Sequence, residues 1–277
     1  MTITSMDGLV AGIIGYPTDL YKDAVTAEAA GVWHSGWYQT GNPGVSAAPS
    51  SGLAGSAHAG TVAAGVAGQI PIPAALGGST RIYLTRLSAA HTGNVGMLRI
   101  YDRLWTNSGI TITTTTGQTV NSVAFPARDQ SASTSGAGVY VGIEVSSATG
   151  NGGAITNTTM TYTNSAGVGS KTATIASFPA SAVVGTFIPF SLSAGDLGVR
   201  SIQTLTLGTS YVSGTIHLVA YRLIAELPMP AANTGFSANF TSLNMPTIWD
   251  SSVLWPLWLP TATALGTVSG SLSYAQG

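Results

Sequence analysis

Charged side chains are scarce in this sequence: Asp, Glu, Lys and Arg make up 7% of its 277 residues, against about 25% in an average soluble protein. The formal net charge is −1, which gives no basis for non-specific binding to nucleic acid or to an anionic membrane. Copies with so little charge repel one another weakly. The composition favours a subunit whose surface is covered by neighbours, with a secreted, hydroxyl-rich β protein as the alternative.

Cysteine is absent, which excludes disulfide cross-links and thiolate metal sites. Long apolar runs are absent as well, because the most apolar window, 251–260, is too short to span a bilayer and contains two prolines. The N-terminus has no basic residue before its apolar stretch and carries Asp7 inside it, which argues against a secretory signal. We therefore expect stability to come from packing and assembly.

Signatures of catalysis are also missing. No G-x-S-x-G nucleophile elbow occurs, and GVGSKT at 167–172 lacks the first glycine of a phosphate loop and precedes a predicted strand. The histidines are far apart in the sequence, with no spacing typical of a local metal clamp: His34, His58, His91 and His217. We therefore predict a protein that is not an enzyme, with no catalytic residue, cofactor or metal site.

Glycoside hydrolysis is the reaction that this sequence excludes least, because it needs only two carboxylates about 5 to 10 Å apart. The acids in the β-rich region are well separated along the chain, although the fold can bring them together. They are Asp102, Asp129, Glu144, Asp196 and Glu226.

Alternating hydrophobicity with period 2 begins near residue 78 and recurs in about ten short segments bounded by Gly and Asn turns. With no helical pattern between the segments, this predicts an all-β fold, an antiparallel β-sandwich of jelly-roll type. We divide the chain into an N-terminal part at 1–77, the β-sandwich core at 78–230, and 231–277, which adds a Trp/Pro-rich loop and a closing strand to the same sandwich.

The N-terminal part differs in character. Thr18 as N-cap and Gly31 as the stop predict a short helix across 18–31. From 45 to 75 the sequence is low in complexity and has few large side chains to bury. We predict an extended arm, at about 40–75, that becomes ordered against another chain.

Tryptophans supply the candidate anchors for a partner. Trp249, Trp255 and Trp258 fall in an irregular, proline-rich segment, and Trp33 and Trp37 precede the arm. The segment either packs over one end of the sandwich as a plug or forms an aromatic patch that anchors a neighbouring subunit or stacks on sugar rings.

Ions gather in one stretch, 97–129, which holds three of the arginines. Within LRIYDRLW, the alternation places Asp102 on the face of Leu98 and Ile100, with Arg103 on the opposite face. A carboxylate on an apolar face is costly unless it is paired. We predict structural ion pairing by Asp102 and Arg103 rather than catalysis. The candidate partners of Asp102 are Arg81, Arg86 and Arg222.

The order of these segments resembles virion structural proteins of tailed bacteriophages. The similarity rests on the N-terminal helix, the Gly/Ala/Pro arm, IYLTRLSA, LRIYDRLW, TTTTGQTVNSVAFPAR, VRSIQTLTL and the closing GTVSGSLSYAQG. The chain is most similar to the decoration (cement) and minor capsid proteins on the outside of the head. The resemblance implies a β-sandwich that forms trimers, an arm lying across the shell or a neighbour, and no catalytic residues.

We therefore expect a virion structural protein that decorates and stabilises a phage capsid, located at the capsid surface. Its expected partners are its own copies, as a homotrimer, and the major capsid protein, with neither nucleic acid nor membrane. The first alternative is a phage tail, fibre or receptor-binding protein that contacts host glycans. The second is a jelly-roll carbohydrate-active enzyme.

Overall fold

A computed structural model describes residues 3–24, 27–47, 66–73, 81–107, 110–120, 125–263 and 265–277. In these ranges strands are the main regular secondary structure. They are β1 Ile13–Asp23, β2 Trp33–Ser35, β3 Thr40–Asn42, β4 Ile82–His91, β5 Gly96–Asn107, β6 Gln118–Thr119, β7 Val139–Ser147, β8 Thr158–Asn164, β9 Lys171–Ile175, β10 Thr186–Pro189, β11 Val199–Thr206, β12 Thr215–Met229, β13 Phe236–Asn239, β14 Thr247–Ile248, β15 Leu254–Pro260 and β16 Thr267–Gln276. The helices are α1 Met6–Gly12 and α2 Phe240–Leu243.

The described strand pairs are antiparallel, which confirms the predicted all-β class. One sheet has the order β13-β4-β16-β1-β3, with β14 also paired to β4, and a four-stranded sheet has the order β6-β11-β8-β9. Further antiparallel pairings join β15 to β2 and to β5, and β7 to β10 and to β12. This pairing does not confirm the predicted jelly-roll sandwich.

The helix predicted at 18–31 is wrong. Strand β1 covers 18–23 of that region and pairs with β16 from Ile13 to Asp23. Its second half alternates between the core and solvent, with Leu20 and Lys22 buried and Tyr21 exposed, as a strand requires. The short helix lies earlier, at Met6–Gly12, where Ser5 Oγ accepts a hydrogen bond from Gly8 N at 3.0 Å.

The proline-rich segment after residue 230 is more regular than expected, because Leu254–Pro260 forms β15 and pairs with β5 along its whole length. Proline removes a backbone donor and is tolerated where a strand lacks a partner on one side. On its other side β15 pairs with β2 only at Leu257 and Trp258. Pro256 and Pro260 lie outside that short pairing.

The chain divides into two compact units with limits that differ from the predicted segment boundaries. Unit 1 contains the described residues of Met1–Ser46, Ala64–Asp102 and Leu223–Gly277, and unit 2 those of Ala47–Ala63 and Arg103–Arg222. Each unit has its own buried core. The core of unit 1 includes Leu20, Ile82, Leu98, Trp258 and Leu272, and that of unit 2 includes Trp105, Met160, Tyr162, Phe178 and Tyr211.

Much of the predicted arm, 48–65 and 74–75, lies outside the described residues. Two parts of the arm are described: 40–47, which begins with β3 paired to β1, and 66–73, which packs on its own unit. Ile70 is fully buried and its N–H donates to the carbonyl of Leu254 at 2.9 Å, while Gln69 Nε2 donates to Ser252 O at 2.9 Å. These contacts make that part of the arm a component of the core of unit 1.

The burial of β15 gives the first prediction. Trp255 has no exposed surface, and its indole N–H donates to Ser35 Oγ at 2.7 Å. We expect Trp255→Ala to lower the free energy of unfolding by about 3 to 5 kcal/mol, as truncation of large buried aromatic side chains does.

Leu265→Ala is the matched control for Trp255→Ala, because Leu265 is a large apolar residue of the same unit that is 59% exposed. We expect it to change the free energy of unfolding by no more than about 0.5 kcal/mol. Urea titration followed by circular dichroism measures both variants. Equal losses of stability would contradict the structure.

Candidate functional site

Three of the five candidate anchor tryptophans are internal. Trp37, Trp255 and Trp258 are buried in unit 1. The indole of Trp258 stacks on the imidazole of His91, with ring centroids 4.4 Å apart. These side chains stabilise the unit from inside and present almost no surface to a partner.

The other two, Trp33 and Trp249, are half-buried, and each lies beneath a guanidinium group. Arg99 lies 4.6 Å above the Trp33 ring and Arg81 lies 5.8 Å from the Trp249 ring, within the range of cation–π attraction. Arg99 Nε also donates to Glu226 Oε2 at 2.6 Å. Trp33, Arg99 and Glu226 therefore form a half-exposed cluster, which we call the Arg99 cluster.

Asp102 is completely buried, in line with its position in the apolar alternation. Its carboxylate accepts hydrogen bonds from Ser252 Oγ at 2.7 Å and from Val253 N at 2.9 Å. These donors come from a segment 150 residues away in the sequence. They join β5 to the turn before β15, and sequence patterning did not reveal them.

Arg103 forms a bidentate ion pair with Glu144. Its Nη1 and Nη2 donate to Oε1 and Oε2 of Glu144 at 2.9 and 2.7 Å, and its Nε donates to Thr106 Oγ1 at 3.2 Å. The side chains are 1% and 0% exposed. Because an isolated charge is costly to bury, the two ions and their hydrogen bonds depend on each other. The sequence identified Arg103 and gave no signal for Glu144 as its partner.

Asp129 organises the loop that follows it. One carboxylate oxygen accepts the backbone N–H groups of Ser131 and Ser133 at 2.9 and 2.7 Å, and the other accepts the hydroxyls of Ser133 and Ser135 at 2.8 and 2.9 Å. Burial opposes ionisation, but the hydrogen bonds outweigh it, led by those from Ser133, and lower the pKa of Asp129.

The remaining two acids are also engaged. Asp196 accepts from Tyr162 OH at 2.6 Å and from Asn164 Nδ2 at 2.7 Å, and Glu226 pairs with Arg99. Each of the five carboxylates considered for glycoside hydrolysis therefore receives donors from its own chain.

A serine–histidine contact was not foreseen. Ser146 Oγ lies 2.6 Å from His217 Nε2, a distance that suits a nucleophile and its base. His217 is fully buried and Ser146 half-buried, so the imidazole has no direct access to a substrate. The contact acts as a buried hydrogen bond between β7 and β12.

An exposed apolar surface lies at the start of the chain. Met6, Val10, Ile13 and Tyr16, here called the N-terminal patch, are 57% to 95% exposed. One third of the twelve exposed large hydrophobic side chains among the described residues therefore fall in the short range 6–16. Exposed apolar side chains concentrated in this way mark interaction sites. The i, i+4, i+7 spacing of the first three was the available sequence signal.

An open groove of about 340 Å³ lies on the outer face of the sheet that contains β4 and β13. Small residues dominate it, with one aromatic and one basic side chain among them. We call it the β4–β13 groove, and its lining includes Arg86, Ser88, Ala90, Phe236, Ser237 and Ser269. Arg86 is exposed and makes no ion pair with any described residue.

Comparison with known proteins gives no relative: no family model, curated protein or solved structure matches the chain.

No helix in the described ranges has both the length and the apolar character needed to cross a membrane. Across the same ranges, His, Asp and Glu side chains form no group of three or more suited to a metal ion. Any function must therefore be argued from the contacts above.

A buried acid, Glu28, is one source of a pH-dependent stability. Glu28 Oε1 accepts from Gln39 Nε2 at 2.6 Å, while Oε2 has no partner among the described residues. Burial, opposed by the Gln39 hydrogen bond, raises the pKa of Glu28 from 4.5 to about 7. The folded state therefore holds this proton at pH values where the unfolded chain has released it.

The sign of the effect follows from proton binding. Because the folded state binds the Glu28 proton more tightly than the unfolded chain does, this proton stabilises the fold below pH 4.5. The stabilisation, of about 3 kcal/mol, is lost as the pH rises through about 7. Glu28→Gln keeps the acceptor for Gln39 and removes the titration. We expect the variant to match the wild type at pH 4.5 and to be more stable above pH 7.

Thermal unfolding across this pH range measures the difference between Glu28→Gln and the wild type. The comparison isolates Glu28, because His34, whose pKa burial lowers to about 4, is present in both proteins. A stability difference that does not change with pH would contradict the assignment.

The Arg103–Glu144 pair gives a further prediction. We expect Glu144→Gln to cost about 3 to 5 kcal/mol of unfolding free energy, because it removes the carboxylate that binds a buried arginine through two hydrogen bonds. The matched control is Glu226→Gln in the half-exposed pair with Arg99, which should cost no more than about 1 kcal/mol. Denaturant titration of both variants tests this, and equal costs would show that burial does not set the value of the pair.

Proposed function

We propose that this chain is a virion structural protein without catalytic activity, which decorates and stabilises the outside of a phage capsid through contacts between subunits. The N-terminal patch is the observation that carries the assembly role, because four large apolar side chains stand in solvent on one short segment. The phage assignment, the major capsid protein as partner and the homotrimer rest on the sequence resemblance. The jelly-roll sandwich belongs to the same proposal.

Charged side chains that are bound within their own chain support the proposed assembly role. The five acids considered for catalysis receive hydrogen bonds from their own chain, and the buried Arg103–Glu144 pair lies within one unit. Only 7% of the chain is charged. A surface so poor in charge has little electrostatic repulsion to overcome when copies or a shell come into contact.

The Arg99 cluster favours a second candidate function, glycan binding by a tail or fibre protein. Sugar recognition by proteins combines aromatic faces with charged hydrogen-bonding groups, and Trp33, Arg99 and Glu226 place these at a half-exposed position. Arg99, however, already covers one face of the Trp33 ring at 4.6 Å. A sugar must use the remaining surface or displace the guanidinium, which makes this function second to assembly.

Two measurements on the purified protein separate the candidates. Size-exclusion chromatography with light scattering reports self-association, and a glycan array together with polysaccharide digests reports sugar binding and hydrolysis. We expect oligomers at micromolar concentration, no glycan retained and no sugar released. A strictly monomeric protein that binds a glycan, and loses it in Trp33→Ala, would replace the assembly function with the tail or fibre function.

The capsid location is tested on purified virions. Electron cryo-microscopy with a labelled antibody against this chain should place it on the outside of the head. Antibody density confined to the tail or fibres would contradict decoration of the capsid.

A further inference from the structure

We infer that the N-terminal patch of one copy docks head to tail in the β4–β13 groove of a second copy, with Tyr16 as the inserted side chain. The inference rests on the proposed assembly function and names the two surfaces that make the contact. Both surfaces lie in unit 1, and each is formed by described residues whose outward side chains have no covering partner.

Tyr16 projects because β1 bulges at this point. Ile14 pairs with Tyr274 and Thr18 with Leu272, so three residues of β1 face a single residue of β16. Two extra residues must therefore leave the plane of the sheet, as in a large β-bulge. Tyr16 is at the middle of the bulge and is 95% exposed, an unusual position for an aromatic side chain.

The patch is suited to contact through side chains rather than strand addition. On the side away from β16, β1 pairs with β3 only from Tyr21 to Asp23 among the described residues, which leaves an open edge earlier in the strand. The bulge and Pro17, which has no backbone N–H, make that edge a poor template for another strand. The exposed ring of Tyr16 and the apolar side chains beside it remain as the means of attachment.

The β4–β13 groove matches this protrusion in size and chemistry. Its volume of about 340 Å³ lies within the range of ligand clefts, about 300 to 1,000 Å³. A tyrosine has an apolar ring and a polar tip. Ala90 offers the ring an apolar contact, while Ser88, Ser237 and Arg86 offer hydrogen-bonding groups to the hydroxyl. Phe236, which pairs with the buried Ala89, packs towards the core of unit 1.

Charge favours contact between patch and groove over contact between two patches. Asp7 is exposed beside Met6 and makes no ion pair with a described residue, and the same holds for Arg86 in the groove. Head-to-tail docking brings these opposite charges into proximity, whereas two patches face to face would bring two Asp7 carboxylates together. A contact between two different surfaces of the same chain produces rings or filaments.

Two variants each disable one of the two surfaces. Tyr16→Ala removes the inserted side chain and leaves the groove intact. Arg86→Glu with Ser237→Trp blocks the groove by charge and volume and leaves the patch intact, and both altered side chains are exposed. Circular dichroism and thermal unfolding establish that each variant folds. Leu197→Ala, which truncates an exposed apolar side chain of unit 2, is the control.

Light scattering then gives the outcome. We expect each variant alone to associate at least about tenfold more weakly than the wild type, as loss of an aromatic hot spot does, while Leu197→Ala associates normally. An equimolar mixture of the two variants should form dimers and nothing larger, because it retains one intact patch facing one intact groove.

The outcomes separate this inference from the proposed function. If the wild type assembles and both variants assemble equally well, or if their mixture stays monomeric, assembly uses other surfaces and this inference is wrong. If the wild type is itself monomeric, the proposed self-assembly and this inference both fail.

Discussion

A carboxylate that leaves water must receive hydrogen bonds or a counter-charge from the chain, and this requirement determines where the few ions of the protein lie. Arg103 and Glu144 satisfy this requirement with a bidentate ion pair whose side chains are no more than 1% exposed. Asp102 meets it with a hydroxyl and a backbone N–H from a segment 150 residues away. Because these acids are bound by distant or looping parts of their own unit, their hydrogen bonds fix which segments of that unit meet.

The surface around the β4–β13 groove uses few charges. Its lining presents serine and alanine side chains together with the exposed Arg86. The N-terminal patch presents the opposite character, with Tyr16 raised on a bulge. In the proposed assembly, this protrusion and this recess, with Asp7 and Arg86 beside them, select a single mode of contact between copies.

The sequence predicted those features that depend on local alternation. Period-2 patterning located β4, β5, β7, β11, β12 and β16, and it placed Asp102 with Leu98 and Ile100, all of which are fully buried. It failed where a distant partner decided the outcome. Thr18 and Gly31 are good helix signals, yet β1 forms because β16, more than 240 residues away, pairs with it. The partnership of Glu144 with Arg103 and the exposure of Tyr16 depend on strand register, which composition and spacing do not fix.

The central claim, that Tyr16 of one copy lies in the β4–β13 groove of another, is tested most directly by photo-cross-linking. A photoreactive phenylalanine analogue at position 16 is mixed with isotope-labelled wild-type protein, irradiated, and mapped by mass spectrometry. The account predicts cross-links from position 16 of one copy to Ser88–Ala90 or Gly235–Ser237 of the labelled copy. Cross-links between the position-16 segments of two copies, or none between copies in an assembled sample, would contradict it.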